Sequence, residues 1–367
     1  MSCFVNGIIL GESILMKHRR GFLAVVGTIL AFSAVVFAQN ERKQTDAQKK
    51  EIQNIVKIVD GAATGQAVPN DLDLKWVHED MLKAQGNKEY VPFTVSIDPS
   101  KATGNVAVYW RVVAKDAPNE ASQTGTAGQK KDDKEKDKKK SEYAYEDITF
   151  VPVTAGQAPM RISRSFTVPT GDYDVYIVAK EAAPDKAPKN APPPKISLLK
   201  QSIAVPDFWN TAQLNTSTVI IASHIEPLPA PLTPQQQADR PYALGSMEIV
   251  PLFDTKFTKN SELSTFMLIY NPKVDAANKP DITVEYNFYQ KPAGQPEKFF
   301  NKTSPQNLNA QTLPPNFDFA AGHQLQSGQA VPLASFPEGD YRLEIKITDK
   351  IANKSLTREI NFTVLPS

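Results

Sequence analysis

The chain has 367 residues, with 41 Lys+Arg against 40 Asp+Glu, a formal net charge of +1 and 41% apolar residues. That balance excludes a dedicated nucleic-acid binder, whose domain would be strongly basic, and the apolar fraction excludes a wholly disordered chain. Four His and one Cys exclude a clustered Cys/His zinc site or a disulfide framework, and the length corresponds to about two domains.

The first expected element is an export signal. Lys17, His18, Arg19 and Arg20 precede Gly21 to Phe37, an uncharged run of 17 residues in which only Thr28 and Ser33 are polar. Val36 and Ala38 are small residues at the two positions that a signal peptidase reads, which predicts cleavage after Ala38 and a signal peptide over residues 1–38. An uncleaved membrane anchor is the competing reading, but it would need about 20 apolar residues. Met16, just before the basic cluster, is the expected initiator. Cys3 lies ahead of the apolar run and not at its end, which disfavours a lipoprotein. Loss of Glu12, Lys17, Arg19 and Arg20 with the signal leaves 329 residues, no cysteine and a net charge of −1. An exported chain without disulfides reads as bacterial and must be stabilised by core burial.

Residues 39–70 are expected to hold a short helix and a linker. Thr45 and Gln48 match a capping box, and Ile52, Ile55, Val56 and Val59 recur at helical spacing before Asp60-Gly61, where the helix should end. A stripe of four apolar residues suits docking on the body or a linker better than membrane binding.

Strand periodicity then takes over. Val91, Phe93, Val95 and Ile97 alternate with Pro92, Thr94 and Ser96, and Val106, Val108, Trp110 and Val112 alternate with Ala107, Tyr109, Arg111 and Val113, so each run should turn one face to a core. Ile148 and Phe150, then Ile162 to Val168, Tyr173 to Ile177 and Ile196 to Val205 continue the series. No helical pattern of 10–15 residues separates these runs, so they predict an antiparallel sandwich over residues 71–209. Two polar loops interrupt it. The run Lys130 to Lys140 within the insertion 115–141 has seven Lys and four acids and should be disordered, as a solvated insertion or as a tether for an anionic polymer. Ala183 to Lys195, with Pro192-Pro193-Pro194, should be an extended polyproline-type loop.

Residues 210–367 repeat the pattern as a second sandwich. Thr218 to Ala222 and Phe266 to Tyr270 are expected strands, and Pro227, Pro229, Pro231 and Pro234 mark an extended loop. Ile282, Val284, Tyr286 and Phe288 alternate with polar residues. Tyr341 to Ile347 and Leu356 to Val364 form a terminal hairpin whose apolar face only Arg358 interrupts. Val168-Pro169-Thr170-Gly171-Asp172-Tyr173 and Phe336-Pro337-Glu338-Gly339-Asp340-Tyr341 are matching turns into a late strand. A Tyr at that point suggests the tyrosine corner of immunoglobulin-like sandwiches; the bland alternative is that Gly-Asp is common turn chemistry.

Chemistry is sparse. His78, His224 and His323 form no metal-binding spacing, and no nucleophile elbow, dinucleotide fingerprint or P-loop is present. A glycosidase carboxylate pair has no local spacing rule, and Glu79-Asp80 and Glu146-Asp147 read as turn or solvated-face residues. Asp71-Leu72-Asp73 falls short of a calcium loop. Trp110 and Trp76 are expected in the core. Trp209, with Phe208, is expected to wedge the two sandwiches together, with a ligand platform as the lesser option. The Asn-x-Ser/Thr sequons at Asn215, Asn301, Asn353 and Asn361 carry no message for a bacterial exporter.

The segments Lys88 to Ser100, Val205-Pro206-Asp207-Phe208 and Pro337 to Lys350 resemble uncharacterised secreted proteins of soil bacteria that carry tandem immunoglobulin-like or fibronectin-like sandwiches. The resemblance implies fold and export and supplies no functional residue. The sequence therefore predicts an all-β protein of two antiparallel immunoglobulin-like sandwiches, exported to the periplasm or beyond. The expected role is noncatalytic, binding an envelope protein or polysaccharide, with no nucleic-acid partner and no membrane span in the mature chain. No catalytic, cofactor-binding or metal-binding residue is assigned. The alternatives are an extracytoplasmic hydrolase with carboxylates on distant loops and a membrane-anchored envelope subunit.

Overall fold

The computed structural model describes residues 46–115, 143–153, 159–182 and 192–366. The expected signal segment with Met16, the capping residue Thr45, nearly all of the Lys-rich insertion and most of the proline loop lie outside the described residues.

A helix, α1 (Asp46–Ala63), leads into β1 (Lys75–Glu79), β2 (Leu82–Lys83), β3 (Glu89–Ile97), β4 (Val106–Ala114), β5 (Tyr145–Val151), β6 (Met160–Val168), β7 (Gly171–Glu181) and β8 (Ile196–Val205). There follow β9 (Asn215–Thr216), β10 (Ile220–Pro227), the short helix α2 (Pro234–Asp239), β11 (Ala243–Leu244), β12 (Met247–Pro251), β13 (Lys256–Phe257) and β14 (Glu262–Tyr270). The chain ends with β15 (Ile282–Lys291), β16 (Lys298–Lys302), β17 (Gln306–Leu308), β18 (Leu325–Pro332), β19 (Gly339–Asp349) and β20 (Lys354–Val364). The protein is all-β, as its alternating runs predict.

Two sheets, β1-β3-β2 with β6 and β5-β4-β7-β8, enclose one core; two more, β11-β12-β10-β14-β18 with β9 and β13-β20-β19-β15-β16 with β17, enclose another. Among the described strands pairing is antiparallel except for the short β13–β20 contact. The terminal hairpin takes the register that its parity implies, with Gly339 opposite Val364 and Asp349 opposite Lys354. Arg358, the exception on that hairpin's apolar face, turns its guanidinium to Thr216 Oγ1 (2.8 Å) and Asn215 Oδ1 (2.7 Å) on β9, bridging the two sheets of its sandwich.

Both expected tyrosine corners form. The Tyr173 hydroxyl donates to the Pro169 carbonyl at 2.9 Å and the Tyr341 hydroxyl to the Pro337 carbonyl at 2.7 Å. Gly171 and Gly339 precede them at φ 150° and 138°, backbone that glycine adopts without a side-chain clash. Equal hydrogen bonds at equal places predict equal losses. Tyr173→Phe and Tyr341→Phe should each cost about 1 kcal/mol in urea unfolding, and a cost confined to one of them would break the equivalence of the two corners.

Three local expectations need correction. Helix α1 continues through Asp60-Gly61 to Ala63, because the Thr64 hydroxyl donates to the Gly61 carbonyl (2.8 Å) and Gly65, at φ 96°, closes the end instead. The Pro227–Pro234 tract is not extended throughout: Pro234 opens α2, with Thr233 and Gln236 forming a reciprocal capping box. Strands β3 and β4 are not half-buried, since both of their faces are covered along most of their length. For β4 the outer cover is α1, whose Ile55 and Val59 pack on Ala107, Tyr109, Tyr176 and Val178. Ion pairs hold the helix toward both ends, Glu51 with Lys180 in the interior and the exposed Asp60 with the buried Arg111.

The second cover explains β3. Strand β14 is buried on both faces: Leu263, Met267 and Ile269 join the second core, while Phe266, Leu268 and Tyr270 join the first. Ile220, Ala222, Tyr242, Leu244 and Ile249 extend the same first core. The two sandwiches therefore share an apolar seam, although no strand pairs across residue 209 among the described residues. None of the described helices is long and apolar enough to cross a membrane.

Candidate functional site

Two fully buried carboxyl groups, Asp80 and Glu89, lie where that seam meets the connection between the sandwiches. Asp80 follows β1, and its backbone N–H donates to the Pro92 carbonyl at 2.9 Å, which turns its side chain inward. The carboxylate is fully buried. Its Oδ1 accepts from Thr218 Oγ1 (2.8 Å) and meets His78 Nε2 (3.2 Å), while Oδ2 accepts from the Tyr242 hydroxyl (2.8 Å). Thr218 and Met81 add a reciprocal pair: the Met81 N–H donates to Thr218 Oγ1 at 3.0 Å, and the Thr218 N–H donates to the Met81 carbonyl at 3.1 Å. The Tyr90 hydroxyl donates to the Pro241 carbonyl at 2.9 Å. Burial pulls the His78 imidazole down, but its hydrogen bond to Asp80 and the charges of Asp80 and Glu79 outweigh this, so it titrates above the ordinary histidine value.

A second polar cluster lies at the head of β3. Glu89 is fully buried; its Oε1 accepts from the Phe208 N–H at 3.0 Å, and its Oε2 has no hydrogen-bond partner. Burial pushes this carboxyl up to about 7, against the opposing Phe208 hydrogen bond and Lys83 charge, and Asp207 adds a little in the same direction as burial. The Lys83 ammonium donates to Asn271 Oδ1 at 3.2 Å and sits 4.2 Å over the Trp209 ring. Asn271, in the left-handed region at φ 57°, directs its amide to the carbonyls of Phe208 (3.0 Å), Asn210 (3.1 Å) and Gln213 (3.2 Å). The connection is thereby bonded to β2, β3 and the end of β14.

The wedge role splits between the two aromatic residues of the connection. Phe208 is buried and lies 5.0 Å from the Tyr270 ring, whereas Trp209 is half-buried, donates its indole N–H to the Lys88 carbonyl at 3.0 Å and carries Lys83 on its ring. Trp110 is in the core, and Trp76 stacks on Phe93 at 5.2 Å. The histidines keep separate local partners: Asp80 for His78, Ser223 and Glu226 for His224, and the Asp318 N–H for His323.

The expected solvated pair Glu79-Asp80 is corrected for Asp80 by its burial, which Thr218 and Tyr242 make possible by satisfying both oxygens. Glu146 accepts from the Tyr109 hydroxyl at 2.6 Å, and Asp147 Oδ1 accepts from the Ile148 N–H at 2.7 Å. Asp71 Oδ2 accepts from the Ile196 N–H at 3.1 Å, while Asp73 pairs with Lys75. Among the described residues no three His, Cys, Asp or Glu side chains come together as a metal site. A cleft of about 220 Å³ behind the connection is lined by Thr211, Asn271, Lys273, Asp349 and Lys354. Its one carboxylate, Asp349, is occupied by the N–H groups of Lys273 (2.7 Å) and Ala352 (2.9 Å).

Residue-type reasoning passed over Glu89, Lys83, Thr218, Tyr242 and Asn271. The available signals were a lone acid beginning the apolar run of β3 and an Asn-Pro ending the continuous apolar run of β14.

No protein-family profile matches the chain and no curated protein matches it, so neither comparison supports the soil-bacterial resemblance. Among solved structures it is similar to Salmonella alpha-2-macroglobulin reacted with methylamine, at 10% identity and a TM-score of 0.20 over 82% of this chain and 17% of that one. It is also similar to the native conformation of E. coli alpha-2-macroglobulin, at 9% identity and a TM-score of 0.19 over 82% of this chain and 16% of that one. The chain spans about a sixth of the length of those proteins, and likeness at these scores carries no inference about its activity.

Proposed function

We propose that this is an exported, noncatalytic binding or structural protein of the bacterial envelope or extracellular space, whose two sandwiches act as one body toward an envelope protein or polysaccharide. The observation that carries this reading is the use of the junction's polar groups. Asp80, Lys83, Thr218, Tyr242 and Asn271 are engaged with one another or with backbone across the seam and its connection. Glu89 has the proton affinity of a general acid, yet it is wholly buried behind the Phe208 amide, which suits a structural role.

Cosedimentation of the purified protein with isolated envelope fragments, alongside a hydrolase panel of glycosides and esters, tests the reading. Retention without turnover is the expected result; turnover lost in a carboxylate variant would replace the proposal with the hydrolase. Trp209→Ala should retain wild-type binding, because its ring face and N–H are already occupied. A tenfold loss of retention in a folded Trp209→Ala protein would make that indole the ligand platform instead. Export itself is checked by the N-terminus of the secreted protein, expected at Gln39.

A further inference from the structure

We propose that the junction is a proton-operated latch: proton uptake by Glu89 and by His78 holds the two sandwiches together, and proton loss loosens them. The geometry places two proton-binding groups, His78 and Glu89, on the first sandwich. His78 meets Asp80, whose oxygens accept from Thr218 and Tyr242, and Glu89 meets the Phe208 N–H of the connection. An ionised Glu89 would bury a charge with one oxygen, Oε2, unsatisfied; a proton on it removes that charge while Oε1 keeps its bond to Phe208.

The groups facing Glu89 are Lys83 from β2, Asp207 from the connection and Tyr270 from β14. Lys83 favours the ionised form, Asp207 opposes it, and the Lys83 ammonium is also held by Asn271 and the Trp209 ring. His78 faces Asp80 and Glu79, and Phe253 packs on its ring at 5.4 Å with the Arg161 guanidinium against the same Phe253 ring. Asp80 faces the hydroxyls of Thr218 and Tyr242, and Tyr90 lies near Tyr242.

Both groups act in one direction. Glu89 in the closed junction sits at about 7, above the 4.5 of a free carboxyl, so its stabilisation is complete below 4.5 and is lost as pH rises through about 7. His78 is raised above 6.5, so its contribution is present below 6.5 and is lost as pH climbs through that raised value. The latch therefore tightens on acidification and opens toward mildly alkaline pH.

Amide hydrogen exchange on the full chain, corrected for the intrinsic pH dependence of exchange, reads the latch directly. The N–H groups of Phe208, Lys83, Met81 and Thr218 report the junction, and those of Val108 and Leu343 report the sandwich interiors. Between pH 5.5 and pH 8.5 wild-type junction protection should fall by about tenfold or more while the interiors hold, since one linked proton changes an opening equilibrium up to about tenfold per pH unit. Glu89→Gln, which has the shape of the protonated acid, should keep junction protection high at pH 8.5, and His78→Gln should lessen whatever pH dependence remains. Small-angle scattering should show wild type expanding at pH 8.5 and Glu89→Gln unchanged. Protection independent of pH in wild type, an undiminished drop in Glu89→Gln, or a parallel drop in the interior amides would each overturn the latch.

Discussion

Phe336→Ala should lower the stability of the protein by about 4 kcal/mol, the cost of removing a fully buried aromatic side chain and leaving its cavity. Phe336 is 2% exposed and touches rings from four places in the second sandwich: Phe300 at 4.9 Å, Phe288 at 5.2 Å, Tyr341 at 5.3 Å and Phe362 at 6.2 Å. These contacts are edge-on or tilted, the arrangements in which ring quadrupoles attract. Neighbours on separate strands cannot all collapse into the void, so the loss should fall near the upper part of the usual range for such truncations. Thermal unfolding should show the midpoint lowered by about 10 °C. Phe299→Ala is the control: that ring is 56% exposed on β16, and its truncation should change stability by less than about 0.5 kcal/mol. Equal effects from the two substitutions would contradict the placement of the second core.

Asp80→Ala should cost about 3 kcal/mol, because it removes the acceptor shared by two hydroxyls and leaves Thr218 Oγ1 and the Tyr242 hydroxyl without it in a buried seam. Asp80→Asn retains one carbonyl oxygen and should lose about half as much. Urea unfolding at pH 7 measures both. A change below about 0.5 kcal/mol in Asp80→Ala would mean that the seam is wet and that the sandwiches are joined by apolar contact alone.

Asp80 also shows where sequence reading stops. Beside Glu79 and ahead of a short strand it has the neighbours of a turn residue, and its partners Thr218 and Tyr242 lie 138 and 162 residues away. Glu89 is similar: nothing within its strand announces that Phe208, 119 residues later, will donate to it. Trp209 was found at the junction by its position, but its use of Lys83 and the Lys88 carbonyl depends on how the connection closes over β2.

Local sequence dictated the strands and much of their pairing. Period-2 alternation is a property of neighbouring residues, so the β19–β20 hairpin, the one-sided burial of β15 and the twin Pro-x-Gly-Asp-Tyr corners were legible before any fold was known. The run Phe266 to Tyr270 was legible only as a strand, and its burial on both faces is a finding of the fold. Tertiary structure decided what covers it, why Thr94 and Ser96 on the polar face of β3 are buried, and which acids sit in the seam. Side-chain period is set along one chain segment, whereas the burial and charge of a polar group are set by whatever distant segment closes over it.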